Sequence, residues 1–207
     1  MPEAEPGTPP PLRLGAIVLA AGGSSRMGAA KPLLEWEGRP LIVRAVDAAL
    51  GSQAHPVVVV LGCDAERVRA PIAGLPVRIV LNPEWSDGMA SSIRAGLSDL
   101  LGADPGLDAV LVALCDQPEL SSGVIGRLAA AHRATGRIAA ARYGGRNGAP
   151  AVFGREHFAA LGALTGDQGA RALLNSDPEK VAALELPALR FDLDTPEDFR
   201  DWVARRS

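Results

Sequence analysis

Two cations close a loop of small residues near the start of the chain. Residues 19–31 read Leu-Ala-Ala-Gly-Gly-Ser-Ser-Arg-Met-Gly-Ala-Ala-Lys and follow an apolar run that is typical of a buried strand. Small residues let the backbone turn and present its N–H groups, which together with Arg26 and Lys31 favour phosphate binding. Lys31 is one of only two lysines in the chain, against nineteen arginines. The loop therefore predicts a phosphate site, and a tight turn with two solvated cations is the alternative.

The spacing of this loop differs from two common phosphate loops. A Walker A loop needs Lys and then Ser or Thr directly after its second glycine, whereas Ala29 and Ala30 follow Gly28. A dinucleotide-binding loop needs its second glycine at the position of Ser24. The loop has the order Leu-Ala-Ala-Gly, then Arg-Met-Gly, then Lys31, and this order matches neither of the two common loops.

A carboxylate ends a second apolar run. Residues 111–118 read Leu-Val-Ala-Leu-Cys-Asp-Gln-Pro, so Asp116 is expected at the carboxyl edge of a sheet, on the side of the glycine loop. A charge there costs desolvation unless a cation meets it, and Mg²⁺ is the usual cation beside phosphates. Asp116 is therefore the candidate metal ligand. Capping of the next helix is the alternative, although Ser121 and Ser122 can serve that purpose.

A second acid near the C-terminus could complete such a metal site. The period of two in a strand puts Asp192 and Asp194 on one face of the segment Phe191–Asp194. One of these acids could join Asp116, while the other supports a helix cap at Thr195. Helix capping alone is the alternative for either residue.

Apolar runs and amphipathic stretches alternate along the chain and must position these residues. The alternation predicts an α/β fold with a doubly wound, mostly parallel sheet of Rossmann-like type. The predicted strands are Leu14–Ala20, Pro56–Leu61, Val77–Leu81, Ala109–Leu114, Ile138–Arg142 and Ala188–Leu193. The predicted helices are Leu41–Leu50, Asp64–Ile72, Ala90–Leu101, Gly123–Arg133 and Asp167–Leu174.

Two segments depart from this alternation. Residues 143–153 predict a small β-hairpin insertion with Asn147-Gly148 at its tip. Near the C-terminus, Thr195 and Pro196 predict the N-cap and the first residue of a last helix. On one face that helix would carry three apolar residues, Phe199, Trp202 and Val203.

The bulk composition bounds the class of protein. With 207 residues, of which 47% are hydrophobic, the chain can bury the core of one domain, predicted for residues 13–207. A net charge of −3 argues against a nucleic-acid partner or an anionic membrane surface, and no apolar run is long enough to span a bilayer. The proline-rich residues 1–12 predict a disordered tail without the features of a signal peptide. The widely separated Cys63 and Cys115 suggest a reduced, cytoplasmic protein.

The order of these motifs along residues 14–205 resembles the MobA-like NTP transferase family, and in particular its molybdenum cofactor cytidylyltransferase branch. The resemblance implies a nucleotidyltransferase fold in which Arg26 and Lys31 grip the triphosphate. It matches Asp116 to the family's Mg²⁺-binding acid and favours Asp192 as a second metal ligand. Catalysis is thus assigned to Arg26, Lys31 and Asp116. The resemblance assigns nucleotide contacts to the first half of the loop, Leu19, Ala20, Ala21, Gly22 and Gly23.

Two further regions share in this resemblance. Residues 82–94 are similar to the family segment that closes over base and ribose, and its candidate contacts are Asn82, Gly88 and Ser92. A loop followed by a helix cap at Ser91 is the alternative. The acceptor-side elements of the family match Gly148, Pro150, Asp167 and Arg171, although Asp167 can also cap a helix. Ala149 stands where many cytidylyltransferase relatives carry the His of a Gly-His-Pro triplet, which leaves the acceptor open.

The resemblance implies a Mg²⁺-dependent transfer of CMP from CTP to a molybdopterin-type cofactor, with release of pyrophosphate. It also implies transient delivery of the product to a molybdenum hydroxylase. A phosphate nucleophile is already anionic, so no histidine base is needed. Within the class, the alternatives are GTP or another nucleotide and a sugar or polyol phosphate acceptor. Outside it, the alternative is an NAD(P)-dependent oxidoreductase recruited from the same fold.

Overall fold

The computed structural model of the protein describes residues 11–23, 30–190 and 196–204. The strands in these ranges are β1 (Leu14–Ala20), β2 (Glu35–Trp36), β3 (Arg39–Pro40), β4 (Val57–Leu61), β5 (Arg78–Leu81), β6 (Ala109–Leu114), β7 (Ile138–Tyr143), β8 (Arg146–Gly154) and β9 (Val181–Glu185). The α-helices are α1 (Leu41–Leu50), α2 (Ala65–Arg69), α3 (Met89–Ala103), α4 (Ser122–Thr135), α5 (Phe158–Gly162), α6 (Arg171–Asn175) and α7 (Pro196–Ala204). Among the described residues, none of these helices has the length and apolar character that a membrane crossing requires.

Seven strands form one sheet in the order β5-β4-β1-β6-β8-β7-β9. The first four are parallel, β8 runs antiparallel to both of its neighbours, and β9 is parallel to β7. Every residue of β1 and β4 is buried, as expected for parallel strands that are covered on both faces. The predicted α/β fold with a mostly parallel sheet is confirmed. Because the chain continues from β1 to β4 on one side and later to β6 on the other, a crevice is expected at the carboxyl end of β1.

Helices cover both faces of the sheet and divide the core into two layers. On one face, α1 and α4 pack against alternate strand residues such as Val18 and Val59. On the other face, α3 and α5 pack against the intervening residues, among them Ile17 and Val60. Gly96 lets α3 approach the sheet closely, because a Cβ atom there would lie 2.6 Å from Cγ2 of Ile17. The sheet is thus packed closely between two layers of helices.

The prediction of a strand at Ala188–Leu193 is wrong. Pro187–Arg190 forms a short 3-10 helix instead, and residues 191–193 lie outside the described residues. The edge strand of the sheet is β9, which pairs with β7. An edge strand buries only some of its side chains, and in β9 Val181 is buried whereas Ala183 and Glu185 are exposed. A short segment of this kind lacks the continuous apolar run that marks the central strands.

Two predicted elements, the hairpin and helix α6, have different boundaries in the structure because of glycines with positive φ. The hairpin lies within the main sheet, and its tip is Gly144-Gly145, with φ of 57° and 75°. The predicted tip, Asn147-Gly148, pairs instead within β8. Glycine adopts two consecutive left-handed conformations without strain, which a tight hairpin turn requires. Helix α6 begins at Arg171 and not at the predicted Asp167, because Gly169 is left-handed with φ of 54°.

Helix α7 anchors the β2–β3 ribbon that follows the phosphate loop. Trp202 of α7 is fully buried and meets Trp36 edge-on, with ring centroids 4.5 Å apart. The guanidinium of Arg44 lies 3.7 Å from the centre of a Trp36 ring. The apolar cluster is completed by Leu34, Leu41, Phe199 and Val203. The predicted apolar face of the last helix is confirmed, and its contacts hold the β2–β3 ribbon.

We expect the Trp202→Ala variant to lose about 3–5 kcal/mol of unfolding free energy, because it removes a large, fully buried aromatic side chain. Urea denaturation followed by circular dichroism measures this loss. Phe199→Ala removes a half-buried ring of the same cluster and is expected to cost less. Equal stabilities for Trp202→Ala and the wild type would contradict the anchoring role of α7.

Candidate active site

A cleft of about 390 Å³ lies at the carboxyl ends of β1 and β6, where the fold predicts the crevice. The cleft unites many of the predicted site residues, namely Leu19, Ala20, Ala21, Gly22, Gly23, Lys31, Gly88, Ser92, Asp116 and Asp167. The rest of its lining is Pro32, Trp85, Ser86, Met89, Leu114 and Cys115. Arg26 and Asp192 lie outside the described residues.

Lys31 and Asp116 face each other in this cleft. Strand β6 pairs with β1, and the N–H of Cys115 extends the pairing by donating to the carbonyl of Leu19, so Asp116 emerges beside the glycine loop. Lys31 opens the 3-10 helix Lys31–Leu33, in which Pro32 is buried. Its Nζ lies 3.8 Å from Oδ2 of Asp116, and the two side chains are 16% and 22% exposed. Opposite charges in such a sheltered place interact more strongly than they do on an open surface.

The oxygen donors at this cleft fit a hard divalent cation. Asp116 and Asp167 line the cleft, and carboxylate oxygens are the ligands that Mg²⁺ and Mn²⁺ prefer. Within residues 11–23, 30–190 and 196–204, no group of three or more His, Cys, Asp or Glu could hold a metal by itself. This donor set suits an ion that is shared between one or two carboxylates and the phosphates of a substrate, as is common for Mg²⁺.

Trp85 forms a wall of the cleft, although its sequence pattern does not mark it as a site residue. Its indole packs on Gly23, where a Cβ atom would lie 3.1 Å from the ring. It also packs on Gly62, which follows β4, and a Cβ there would lie 2.7 Å from Cγ of Trp85 and from the carbonyl of Ala21. Gly23 and Gly62 therefore leave the space that the Trp85 indole fills between their segments. The sequence signal was present as an aromatic residue within the segment 82–94.

We expect Gly62→Ala to lose about 1–3 kcal/mol of unfolding free energy, because the added methyl group must displace Trp85 or the glycine loop. Gly102→Ala is the matched control, since Gly102 lies in α3 with open space around its Cα. The control is expected to gain about 0.5–1 kcal/mol from its helix propensity. Thermal and urea denaturation measure both changes, and a neutral Gly62→Ala would refute the tight meeting of these segments.

Asp167 lies with the cleft residues and not with the other acceptor-side candidates. Its loop packs directly on the start of α3, where Gly88 has a φ of 103°. A Cβ atom at Gly88 would lie 2.7 Å from the carbonyl oxygen of Gly166. The same carbonyl accepts a hydrogen bond of 3.2 Å from the N–H of Ala90. The start of α3 is therefore tied to the loop that carries Asp167.

Asn82 lies beneath the cleft and does not line it. The residue is 5% exposed, and its amide nitrogen donates to the hydroxyl groups of Ser91 and Ser92 at 2.8 Å and 3.0 Å. Its amide oxygen accepts from the backbone N–H of Glu84 at 3.0 Å. The polar groups of its side chain are therefore engaged within the protein, whereas Ser92 reaches the cleft wall.

A second, mostly apolar chamber of about 50 Å³ adjoins the cleft and shares Met89 and Leu114 with it. Of the acceptor-side candidates, Gly148 and Arg171 line this chamber, whereas Pro150 does not. Its volume corresponds to a few water molecules, and its walls include Ile93, Val112, Tyr143, Ala151, Phe153 and Leu174. Gln117 supports the wall of the chamber, because its amide nitrogen donates to the carbonyl of the lining residue Ala149 at 2.9 Å.

The Cys115 thiol contributes a neutral surface to the cleft. Burial raises the pKa of this thiol well above its usual range, and the charge of the neighbouring Asp116 raises it further. Because the nucleophilic form of cysteine is the thiolate, a thiol with a raised pKa is a poor nucleophile. Cys115 therefore acts as a packing residue beside the charged pair.

Comparison with known proteins places the chain among enzymes that handle nucleotides. Residues 16–181 match the family described as MobA-like NTP transferase domain. The Nicotine blue oxidoreductase of Paenarthrobacter nicotinovorans is 38% identical over 193 residues, which cover 87% of this chain and 92% of that protein. The Molybdenum cofactor guanylyltransferase of Rhodobacter capsulatus is 32% identical over 188 residues, which cover 90% of this chain and 88% of that protein.

Solved structures agree with the fold. A crystal structure from Mycobacterium tuberculosis H37Rv has a TM-score of 0.81 and 29% sequence identity, and it covers 93% of this chain and 98% of that chain. Another crystal structure of the same mycobacterial protein is a complex with manganese and has a TM-score of 0.77 and 27% identity. It covers 93% of this chain and 98% of that chain.

Proposed function

Since the chain belongs to the family of MobA-like NTP transferase domains, we propose that it transfers CMP from CTP to a molybdopterin-type cofactor and releases pyrophosphate. Its enzyme class is nucleotidyltransferase, as the family indicates. The observation that carries the proposal is the meeting of residues 19–23, Lys31 and Asp116 in one cleft. A cation, an acid and exposed backbone N–H groups are the parts that a triphosphate and its metal ion require.

In the proposed reaction, a terminal phosphate oxygen of the acceptor attacks the α-phosphorus of the nucleotide. The bond from the α-phosphorus to the bridging oxygen breaks, and pyrophosphate leaves with the bond's electrons. The nucleophile is already an anion, so the reaction needs positioning and charge stabilisation rather than a base. Among the described residues, no histidine lines the cleft. Lys31 would stabilise the charge that develops on the α-phosphate and on pyrophosphate.

A divalent ion, proposed to be Mg²⁺, would supply charge neutralisation at the phosphate oxygens. Asp116 would hold it, with Asp167 or Asp192 as a second ligand. The manganese complex of the mycobacterial structure supports a hard divalent cation at this type of fold. Arg26, which resembles the family's phosphate-binding arginine, would add a further positive charge.

The nucleotide and the acceptor are the finer parts of the proposal. Ala20-Ala21-Gly22 resembles the cytidylyl branch, whereas the relative from Rhodobacter capsulatus is named a guanylyltransferase, so GTP is the competing nucleotide. Gly148 and Arg171 line the small chamber beside the cleft, and we propose that an acceptor bound in the cleft extends toward them. Pro150, which follows Gly148 closely in the sequence, stays a prediction. We further propose that the product passes to a molybdenum hydroxylase, which pull-down of such an enzyme with the tagged protein would test.

An oxidoreductase is the second candidate function. The apolar groups that line most of the side chamber would suit an apolar part of a compound bound in the cleft better than a polar part. The relative from Paenarthrobacter nicotinovorans, named Nicotine blue oxidoreductase, supports this candidate across most of the chain. In this case the cleft would hold NAD(P)H, and hydride transfer would not require the carboxylate of Asp116.

The decisive experiment measures pyrophosphate release with CTP, GTP, UTP and ATP in turn, each with extracted molybdopterin and Mg²⁺. Parallel reactions contain Mn²⁺ or a chelator, and a further set follows NAD(P)H oxidation with nicotine blue, the compound in the name of the Paenarthrobacter nicotinovorans relative. We expect metal-dependent release that is fastest with CTP. Release that is fastest with GTP would overturn the choice of base, and turnover only of NAD(P)H would replace the transferase with the oxidoreductase.

A further inference from the structure

We infer that Asn82 is a positioning residue that presents the Ser92 hydroxyl to the nucleotide as a hydrogen-bond donor. The inference rests on the proposed nucleotide-binding function of the cleft and deepens it. Asn82 then acts through Ser92 and does not contact the nucleotide directly. The nucleotide atom that contacts Ser92 must be a hydrogen-bond acceptor.

The orientation of the Asn82 amide follows from the backbone. The N–H of Glu84 points at the amide oxygen from 3.0 Å, and a backbone N–H can only donate. A flipped amide would place a donor against a donor and lose this bond. The two amide protons therefore point to Ser91 and Ser92, whose oxygen atoms lie 2.8 Å and 3.0 Å from the nitrogen. Asn82 is also held by its own N–H, which donates to the carbonyl of Leu61.

The two serines differ in whether their hydroxyl protons have an acceptor within the protein. Ser91 lies 2.8 Å from the carbonyl oxygens of Glu84 and Gly88, so its proton is used within the protein. Ser92 accepts from Asn82, and no described residue accepts its proton in return. Ser92 is 4% exposed, and it lines the cleft. A hydroxyl with an unused proton, on a buried residue that lines a cleft, points to a ligand that supplies the acceptor.

A helical serine often donates to the carbonyl four residues earlier, which here is Gly88. Among the described residues, Ser92 makes no such bond, and the Gly88 carbonyl lies within hydrogen-bond distance of the hydroxyl and the N–H of Ser91 instead. The Ser92 proton is consequently directed to the cleft. Its partner is an acceptor atom of the nucleotide, which is a carbonyl oxygen or an unprotonated ring nitrogen of the base, or an oxygen of the ribose or phosphate.

Replacing Asn82 by Asp reverses this arrangement. A carboxylate can only accept, so the Ser92 proton turns toward residue 82 and the hydroxyl presents lone pairs to the cleft. The test is a double-mutant cycle with isothermal titration of CTP, GTP, UTP and ATP in the presence of Mg²⁺. In the wild-type background, Ser92→Ala is expected to weaken binding of the preferred nucleotide about five- to tenfold. In the Asn82→Asp background, the same Ser92→Ala change is expected to leave Kd unchanged or to improve it.

Ser91→Ala is the matched control, because it removes the other serine of the network without touching the cleft, and its Kd should stay within about twofold of the wild type. Asn82→Ala removes the donor without adding a charge and is expected to bind more weakly than Ser91→Ala. Thermal unfolding identifies any variant that is not folded. A loss on Ser92→Ala that differs among the four nucleotides assigns the acceptor to the base, and an equal loss assigns it to ribose or phosphate.

The inference is overturned if Ser92→Ala weakens binding equally in both backgrounds, or if Asn82→Asp binds every nucleotide as the wild type does. For a chain in which Asn82→Asp does not fold, equal Kd values for Asn82→Ala and Ser91→Ala overturn it. A wild-type protein that binds none of the four nucleotides refutes the proposed function itself. Failure of the inference and failure of the function therefore give different results.

Discussion

The Asp116→Asn variant is expected to lose about 10³-fold in kcat/KM for nucleotidyl transfer while it keeps the wild-type fold. Asparagine has nearly the same shape as aspartate, but it lacks the charge that the proposed divalent ion and Lys31 meet in the cleft. Asp116 is the acid at the carboxyl edge of β6, with Lys31 Nζ 3.8 Å away. Steady-state pyrophosphate release measures the loss, and thermal unfolding confirms that the variant is folded.

Asp64→Asn is the matched control for this experiment. Asp64 follows the neighbouring parallel strand β4 as Asp116 follows β6, but it pairs with Arg67 at 3.6 Å and does not line the cleft. Asparagine also tolerates the left-handed conformation of this position, where φ is 55°. The control should keep nearly full activity. Retention of more than about a tenth of the activity by Asp116→Asn would remove this residue from the proposed metal site.

The Lys31→Met variant is expected to lose about 10²–10³-fold in kcat/KM, because methionine keeps an apolar stem in the cleft but removes the positive charge. The side chain is only 16% exposed, so solvent ions replace that charge poorly. A rise in KM together with a fall in kcat is expected if Lys31 contacts the triphosphate in both the bound and the reacting state. Lys31→Arg restores the charge with a different shape and should recover part of the activity.

The chain provides its own control for the lysine experiment. Lys180 is the only other lysine, and it lies in an exposed turn where it pairs with Asp177 at 3.2 Å. Lys180→Met removes the same charge far from the cleft residues and should leave kcat/KM unchanged. Equal rates for Lys31→Met and Lys180→Met would show that the loop cation has no part in the reaction. Under the oxidoreductase alternative, NAD(P)H oxidation would persist in the Asp116→Asn variant.

The central strands, the glycine loop and the charged residues Lys31 and Asp116 could be identified from the sequence alone. Strands β1, β4 and β6 are continuous apolar runs because both of their faces are covered, and such runs are visible without any tertiary information. Asp116 and the loop could be expected at one edge of the sheet, because the carboxyl ends of parallel strands meet there. The edge strand β9 and the Gly144-Gly145 turn were missed, since partial burial and competing turn signals leave a weak pattern.

Contacts between distant segments decided the rest of the site. Trp85 became part of the cleft because Gly23 and Gly62 leave room for its indole, and no spacing along the chain encodes that meeting. Asp167 lies at the cleft because the carbonyl of Gly166 accepts a hydrogen bond from the N–H of Ala90 at the start of α3. The sequence alone also grouped Asn82 with Ser92 as equal candidates. Only the tertiary structure separates the buried amide of Asn82 from Ser92, which lines the cleft, because a side chain's direction depends on which partners the fold brings within reach.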